Sequence, residues 1–77
     1  MKTIDTCVPL PYSPLIPAMK AILTAESGEK MEIIMNDASA FGDLKEYLSE
    51  QNIGFREIYE QKIMKLQFTI PDKWVKF

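Results

Sequence analysis

The chain's one cysteine lies in a proline-rich stretch directly before an apolar, helix-like run. Cys7 and four of the five prolines fall within residues 6–22, "TCVPLPYSPLIPAMKAI". A cysteine thiolate is a nucleophile, and the N–H groups at a helix start stabilise an anion and lower a thiol's pKa. A free cysteine is also often a small, buried and unreactive packing residue. Two interpretations of Cys7 therefore stay open: a sulfur nucleophile, or a packing residue at a strand end.

The remaining chemistry is limited because the chain has no histidine. This excludes Ser-His and Cys-His catalysis by its own residues, and one cysteine cannot supply the ligands of a structural zinc site. Asp5, Asp37 and Asp43 are the candidate metal ligands or acid–base pair. Each also has a structural role available: strand-end hydrogen bonding for Asp5, helix capping for Asp37 and a first-turn helix charge for Asp43. We predict the structural roles, and we expect no cofactor and no bound metal.

The length and net charge of the chain limit the kinds of partner that it can bind. With 77 residues, 47% of them hydrophobic, the chain fits one domain, residues 1–77, with a modest core. A net charge of −2 lacks the basic surface of a nucleic-acid binder. The longest apolar runs are broken before the roughly 18 residues that a membrane-spanning helix needs. With a single cysteine and no signal-peptide pattern, we expect a cytoplasmic protein with protein partners and neither nucleic-acid nor membrane binding.

The elements around Cys7 are a strand and a helix. "KTIDTCV", residues 2–8, predicts a strand with Ile4, Thr6 and Val8 on one face and with Asp5 and Cys7 on the other.

The pattern "SPLIPAMKAILTAESG" predicts a helix with Ser13 as its N-cap, Pro14 as its first residue and Gly28 just past its end. Pro17 predicts an irregular first turn or a later start. The prolines of this region stiffen the loop or, alternatively, form an exposed polyproline ligand. The expected buried stripe is Leu15, Ala18, Met19, Ile22 and Leu23.

The second half of the chain predicts a central strand, a helix and a hairpin. Residues 29–35, "EKMEIIM", are apolar enough on both faces for a central strand. The next helix is capped by Asn36, Asp37 or Ser39, and it ends at "NIG", residues 52–54. Residues 55–60 and 62–70 form the hairpin around Gln61. The expected buried positions are Phe41, Leu44, Tyr47 and Leu48 in the helix, and Met64, Leu66, Phe68 and Ile70 in the last strand.

The resulting order, β-α-β-α-β-β, predicts an α+β two-layer sandwich with two helices packed on one face of a four-stranded mixed sheet. Residues 70–77 form a C-terminal tail in which Pro71 ends the last strand. Trp74 and Phe77 are too apolar for a loose end, and we expect them to cover a sheet edge or to bind a partner.

In this order and spacing the chain resembles the TusA/SirA-like sulfurtransferases, small cytoplasmic sulfur carriers. Their opening pattern, L-D-x-x-G-x-x-C-P-x-P, is followed by an apolar helix, G-E, a strand and a D-P-x-x-x-x-D-I segment. These elements fall without gaps on Ile4-Asp5, Pro14, Lys20-Ala21-Ile22, Gly28-Glu29, Asp37 and Asp43-Leu44. The resemblance implies the same fold and a persulfide-carrying cysteine at the start of the first helix.

The chain differs from the family's pattern at the centre of that pattern. The family's glycine falls on Val8, its cysteine on Pro11 and the following proline on Tyr12. Pro11 has no sulfur to carry. We therefore interpret the chain as a sulfur-carrier family member with a diverged active site, acting through protein contacts around residues 7–14.

If sulfur transfer persists, Cys7 is the catalytic candidate, with thiolate attack on a donor's persulfide and transfer to an acceptor protein. The alternative is a non-catalytic protein-binding or regulatory domain on the same scaffold. The sequence leaves open whether the protein is an enzyme.

Overall fold

The computed structural model describes residues 1–7 and 11–72. Its elements run in the predicted order, β-α-β-α-β-β. They are β1 (Lys2–Asp5), α1 (Leu15–Thr24), β2 (Lys30–Met35), α2 (Ala38–Glu50), β3 (Phe55–Glu60) and β4 (Ile63–Thr69). The sheet order is β1-β2-β4-β3, with β1 parallel to β2 and the other pairs antiparallel. The predicted four-stranded mixed sheet and the hairpin around Gln61 are confirmed. The predictions for Val8, Trp74 and Phe77 lie outside the described residues.

The core lies between the two helices and one face of the sheet. In β2 the side chains of Met31, Ile33 and Met35 are fully buried, whereas the alternate residues Glu32 and Ile34 are half-buried. This period-two pattern is typical of a strand with one face against the core. The strand is central, as predicted, and within residues 1–7 and 11–72 no helix packs on the other sheet face. We call this second face the helix-free face.

The first turn of α1 differs from the prediction. Pro14 is the N-cap residue and the helix begins at Leu15, so Ser13 is not the N-cap and Pro14 is not the first helical residue, contrary to the prediction. Pro17 is the third residue of the helix, where a missing N–H removes no intrahelical hydrogen bond. The N–H of Ile16 reaches back only three residues, to the Ser13 carbonyl at 3.0 Å. The predicted irregular first turn is thus confirmed.

The buried stripe of α1 was predicted only in part. Ala18 and Ile22 are buried as expected, and Leu15 and Met19 pack against the core while half-buried. Leu23 was assigned to the wrong face: its side chain is 42% exposed, and Ala21 is buried instead.

Specific capping interactions fix both ends of α2. Oδ1 of Asp37 accepts a 3.0 Å hydrogen bond from the N–H of Ala40, which confirms the predicted cap. At the other end Asn52 adopts a positive φ of 58°, and the N–H of Ile53 donates to the Leu48 carbonyl at 2.9 Å. This is the Schellman arrangement that ends many helices. This arrangement explains why α2 ends at "NIG", residues 52–54.

Candidate functional site

β1 ends shortly before the proline-rich segment. The predicted strand 2–8 is too long, because regular strand stops at Asp5. Thr6 is buried, and both its N–H and its hydroxyl donate to the carbonyl of Ile34, at 2.9 and 2.7 Å. The N–H of Cys7 then donates to Oδ1 of Asp5 at 2.9 Å. This is a local side-chain-to-backbone hydrogen bond of the kind that competes with regular strand.

The surroundings of Cys7 favour the thiol over the thiolate. Its side chain is half-buried and free of a disulfide. Burial raises the pKa of the Cys7 thiol, and a hydrogen bond from the thiol itself to the Asp5 carboxylate, together with the negative charge of that carboxylate, raises it further. A nucleophilic or sulfur-accepting cysteine instead needs an electropositive neighbour that lowers its pKa. The Asp5 carboxylate acts in the opposite direction.

The family's cysteine position, as aligned from the sequence, lies on Pro11, a few residues before α1. Pro11 and Tyr12 are exposed, the latter to 48% of its surface, and Pro14 is half-buried at the N-cap. Ser13 lies between them. Its hydroxyl accepts a 3.2 Å hydrogen bond from the N–H of Leu15, and its carbonyl accepts from Ile16.

These contacts occupy backbone N–H groups at the start of α1 that could otherwise bind an anion. The anion-binding property of a helix N-terminus comes from N–H groups without intrahelical partners. In α1 the N–H groups of Leu15 and Ile16 both bind Ser13, and Pro17 has no N–H. The first three helical positions therefore leave no backbone donor for a thiolate or persulfide that precedes the helix.

Two of the three aspartates make local hydrogen bonds to the backbone, and the third stands elsewhere than expected. Asp37 caps α2, and Asp5 accepts from the Cys7 N–H. Asp43 is exposed and lies in the second turn of α2, not the first, because the helix begins at Ala38. Across residues 1–7 and 11–72, no three acidic or cysteine side chains are grouped as metal ligands would be.

Sequence reasoning missed an apolar surface on the outward side of α1. Ile16, Met19, Lys20 and Leu23 share this side, which we call the outer α1 surface. Ile16 is 54% exposed and Leu23 is 42% exposed. A shallow groove on this surface also touches Ser13, Leu15 and Thr24. The signal was present in the sequence: Lys20 and Thr24 are the only polar side chains of "LIPAMKAILT", so apolar residues remain on the side that faces away from the core, whereas a helix packed on one sheet face needs only one apolar side.

Comparison with known proteins decides the family. The family model described as sulfurtransferase TusA matches residues 2–70. The chain belongs to the TusA family. A crystal structure of a SirA-like protein from Desulfitobacterium hafniense matches with a TM-score of 0.72. That match covers 94% of this chain and 100% of the other, at 16% sequence identity, and shows that the two share a fold. No curated protein sequence matches the chain.

The TusA match includes β1, Cys7, the residues before α1 and the whole sheet, and it stops at Ile70. Residues 71–77 extend beyond the part of the chain shared with the family. None of the described helices is long and apolar enough to cross a membrane.

Proposed function

We propose that this TusA-family protein has a diverged site and acts by binding other proteins through residues 7–14, without carrying sulfur at the start of α1. The occupied helix start supports the proposal most directly. Leu15 and Ile16 donate their N–H groups to Ser13, and Pro17 has none to donate. A thiolate or persulfide at the N-terminus of α1 would lack the hydrogen bonds that lower its pKa.

The side chains that precede the helix support the same proposal. Pro11, at the position aligned with the family's cysteine, has no thiol, and Tyr12 adds a half-exposed aromatic ring beside it. Tyrosine is among the residues that contribute most to protein–protein contacts, because it combines a large apolar ring with a polar tip. The segment is thus better suited to recognition than to sulfur chemistry.

Persulfide transfer through Cys7 is the second candidate, favoured by the partial exposure of its thiol. In that reaction the Cys7 thiolate attacks the outer sulfur of a donor persulfide. A new S–S bond forms on Cys7 as the donor's S–S bond breaks, and the donor cysteine leaves as a thiolate. The raised pKa of Cys7 opposes the first step, because little thiolate is present at neutral pH.

One experiment separates these candidates. The protein is incubated with a cysteine desulfurase and cysteine, and its mass is measured for one added sulfur, with Cys7→Ser as the control variant. An intact TusA-family protein that retains its motif cysteine is the positive control. We expect the control protein to gain sulfur and this protein to gain none. A persulfide on the wild type that disappears in Cys7→Ser would overturn the proposal in favour of the carrier.

We also propose that the protein works in the cytoplasm with protein partners. A lone cysteine is typical of a protein kept in a reducing compartment. The net charge of −2 argues against a nucleic-acid partner.

A further inference from the structure

We infer that two copies of this chain pair through the outer edges of β3, antiparallel and centred on Ile58. Such a dimer joins two four-stranded sheets into one, related by a two-fold axis perpendicular to the sheet. Three observations carry this inference: the outward hydrogen-bonding groups of β3, the lack of the usual features that block a strand edge, and side chains that are complementary to their own copy. None of them depends on the sulfur chemistry or the partner binding considered above.

β3 is an edge strand with backbone groups that β4 does not use. In the sheet order β1-β2-β4-β3, none of the described residues pairs with its other side. Glu60 and Ile63 flank the two-residue loop of the hairpin, and residues in that position exchange both N–H···O bonds. Since such bonds alternate along a strand, Ile58 also binds β4, whereas the N–H and C=O groups of Glu57 and Tyr59 point outward. These groups can bind another strand.

The features that usually protect an edge strand are few in β3. Natural edges are kept apart by short strands, proline, lysine, bulges or a covering segment. β3 has six residues, "FREIYE", in unbroken register with β4, and it contains neither proline nor lysine. Tyr59 contacts Phe41 of α2 and is still 62% exposed, so α2 leaves this edge open. The charged residues of β3 therefore decide which strand fits.

Those charges are complementary to a second copy of β3. A two-fold axis perpendicular to the sheet places one residue opposite its own copy, and residues equally distant from it opposite each other. With Ile58 at the centre, Arg56 faces Glu60 of the second copy on both sides, so two opposite-charge pairs flank an apolar one on the helix-free face. In the same register the outward backbone groups of Glu57 lie opposite those of Tyr59. Side chains and backbone thus fit in one register.

Arg56 and Glu60 are both available for this contact. Arg56 is the chain's one arginine, it is exposed, and it forms no ion pair within residues 1–7 and 11–72. Glu60 binds Lys65 at 2.6 Å, but its side chain is 52% exposed. A carboxylate has two oxygens and accepts several hydrogen bonds. Glu60 can therefore bind Lys65 of its own chain and Arg56 of the second copy together.

Other registers and the other edge of the sheet fit less well. Centring the pair on Glu57 places two glutamates directly opposite each other, and like charges in that position destabilise a strand pair. The other edge strand, β1, has only four residues. Its Lys2 and Asp5 are three positions apart, so no central residue is equally distant from both and the two never face each other. The charge pattern therefore selects β3 and the register centred on Ile58.

The size of the contact predicts a weak dimer. A stable protein–protein interface buries about 800 Å² on each partner, which is more than the edge of one six-residue strand provides. We therefore expect monomer and dimer in an equilibrium that depends on protein concentration.

Sedimentation velocity measures this equilibrium. The average mass of the wild type should rise from that of the monomer toward that of the dimer between low-micromolar and millimolar concentration. Arg56→Glu makes both charge pairs repulsive and should raise the dissociation constant about tenfold or more. Lys2→Glu is the matched control: it makes the same charge change at the other edge and should leave the dissociation constant unchanged. Far-UV circular dichroism verifies that each variant is folded.

A charge swap tests the register. Glu60→Arg should also weaken self-association, but its mixture with Arg56→Glu should form a mixed dimer, because opposite charges then face each other in both pairs. The double variant Arg56→Glu/Glu60→Arg should dimerise with itself again. Amide hydrogen exchange gives an independent readout. The N–H groups of Glu57 and Tyr59 should gain protection as the concentration rises, whereas that of Ile58 should be protected by β4 at every concentration.

Three results would overturn the inference. The first is a wild type that stays monomeric at every concentration. The second is a dimer that Arg56→Glu leaves unchanged. If Lys2→Glu disrupts that dimer, it pairs through β1, and if Leu23→Gln disrupts it, it pairs through the outer α1 surface. The third is a double variant that associates no better than Arg56→Glu alone, which would exclude the register centred on Ile58.

Discussion

The backbone N–H of Cys7 donates a 2.9 Å hydrogen bond to the Asp5 carboxylate, so the chain's one thiol lies beside a negative charge. The contact has two effects. It provides the Cys7 N–H with an acceptor just beyond the end of β1, and together with burial the carboxylate raises the pKa of the thiol. The same aspartate thus binds the backbone and favours the neutral form of the sulfur.

The first prediction concerns the alkylation of Cys7 by a small thiol reagent. Because only the thiolate reacts and the pKa of Cys7 is raised, the rate at neutral pH should be lower in the folded protein than in urea. Asp5→Asn keeps an oxygen that accepts from the Cys7 N–H but removes the charge, so the pKa of Cys7 should fall and the rate–pH profile should move to lower pH. The rate should stay below that of the unfolded chain, because burial, the largest cause, remains. Equal profiles for wild type and Asp5→Asn would contradict this account.

The second prediction moves the thiol to the position aligned with the family's cysteine. Pro11→Cys, made in the Cys7→Ser background, introduces a sulfur at an exposed position. We expect it to react with the same reagent faster than Cys7 does in the wild type, because burial is smaller and Asp5 is not its neighbour in sequence. Since the N–H groups of Leu15 and Ile16 are occupied by Ser13, its pKa should stay close to that of an ordinary cysteine. A rate–pH midpoint well below the ordinary value would show that the helix start still stabilises a thiolate.

Much of the fold was predictable because hydrophobic periodicity determines it. The alternation of β4 and the capping residue Asp37 were both read correctly from the sequence, since each depends on neighbours a few positions away. The end of β1 and the face of α1 were not. The end of β1 lies where the Cys7 N–H binds the neighbouring Asp5 side chain, and the face of α1 depends on how the helix is rotated on the core, with Ala21 buried and Leu23 exposed. Lys20 and Thr24 are the only polar side chains of α1, too few to mark which side of the helix is buried.

The third prediction tests whether the aspartates are structural. Asp37→Ala removes the side chain that accepts from the Ala40 N–H and should lower the free energy of unfolding by about 1 kcal/mol. Asp37→Asn retains the cap and should recover most of the loss. Asp43→Ala is the matched control, exposed in the same helix, and should change stability by less than about 0.5 kcal/mol. Urea unfolding measures all three variants. Similar losses for Asp37→Ala and Asp43→Ala would argue against the capping role.

The fourth prediction concerns a polar cluster that joins α2 to β3. Oε1 of Glu57 accepts from the Tyr59 hydroxyl at 2.6 Å and from Lys45 at 3.1 Å. The Tyr59 hydrogen bond, the Lys45 hydrogen bond and the Lys45 charge together lower the pKa of Glu57. Its folded pKa is therefore below its unfolded pKa, and the stabilisation is complete above the ordinary glutamate value. It is lost as the pH falls from that value through the lowered one.

Unfolding measurements across this pH range should accordingly show wild type more stable than Glu57→Gln at pH 7. The difference should shrink at acidic pH, and it should shrink with added salt because the pair is exposed. Glu46→Gln, an exposed carboxylate change on α2, is the control. A difference between wild type and Glu57→Gln that is independent of pH would mean that the carboxylate charge contributes nothing.

The fifth prediction uses two adjacent isoleucines to test the two-layer arrangement. Ile33 is fully buried on the helix side of β2, whereas Ile34 is half-buried on the helix-free face. Ile33→Ala should therefore create a cavity under the helices and cost about 2–5 kcal/mol of unfolding free energy. Ile34→Ala removes the same atoms from a partly solvated face and should cost about 1 kcal/mol. The two variants differ only in the face of the sheet on which the side chain is shortened. Equal decreases in the free energy of unfolding, measured in urea, would mean that the helix-free face is covered in solution by a further layer.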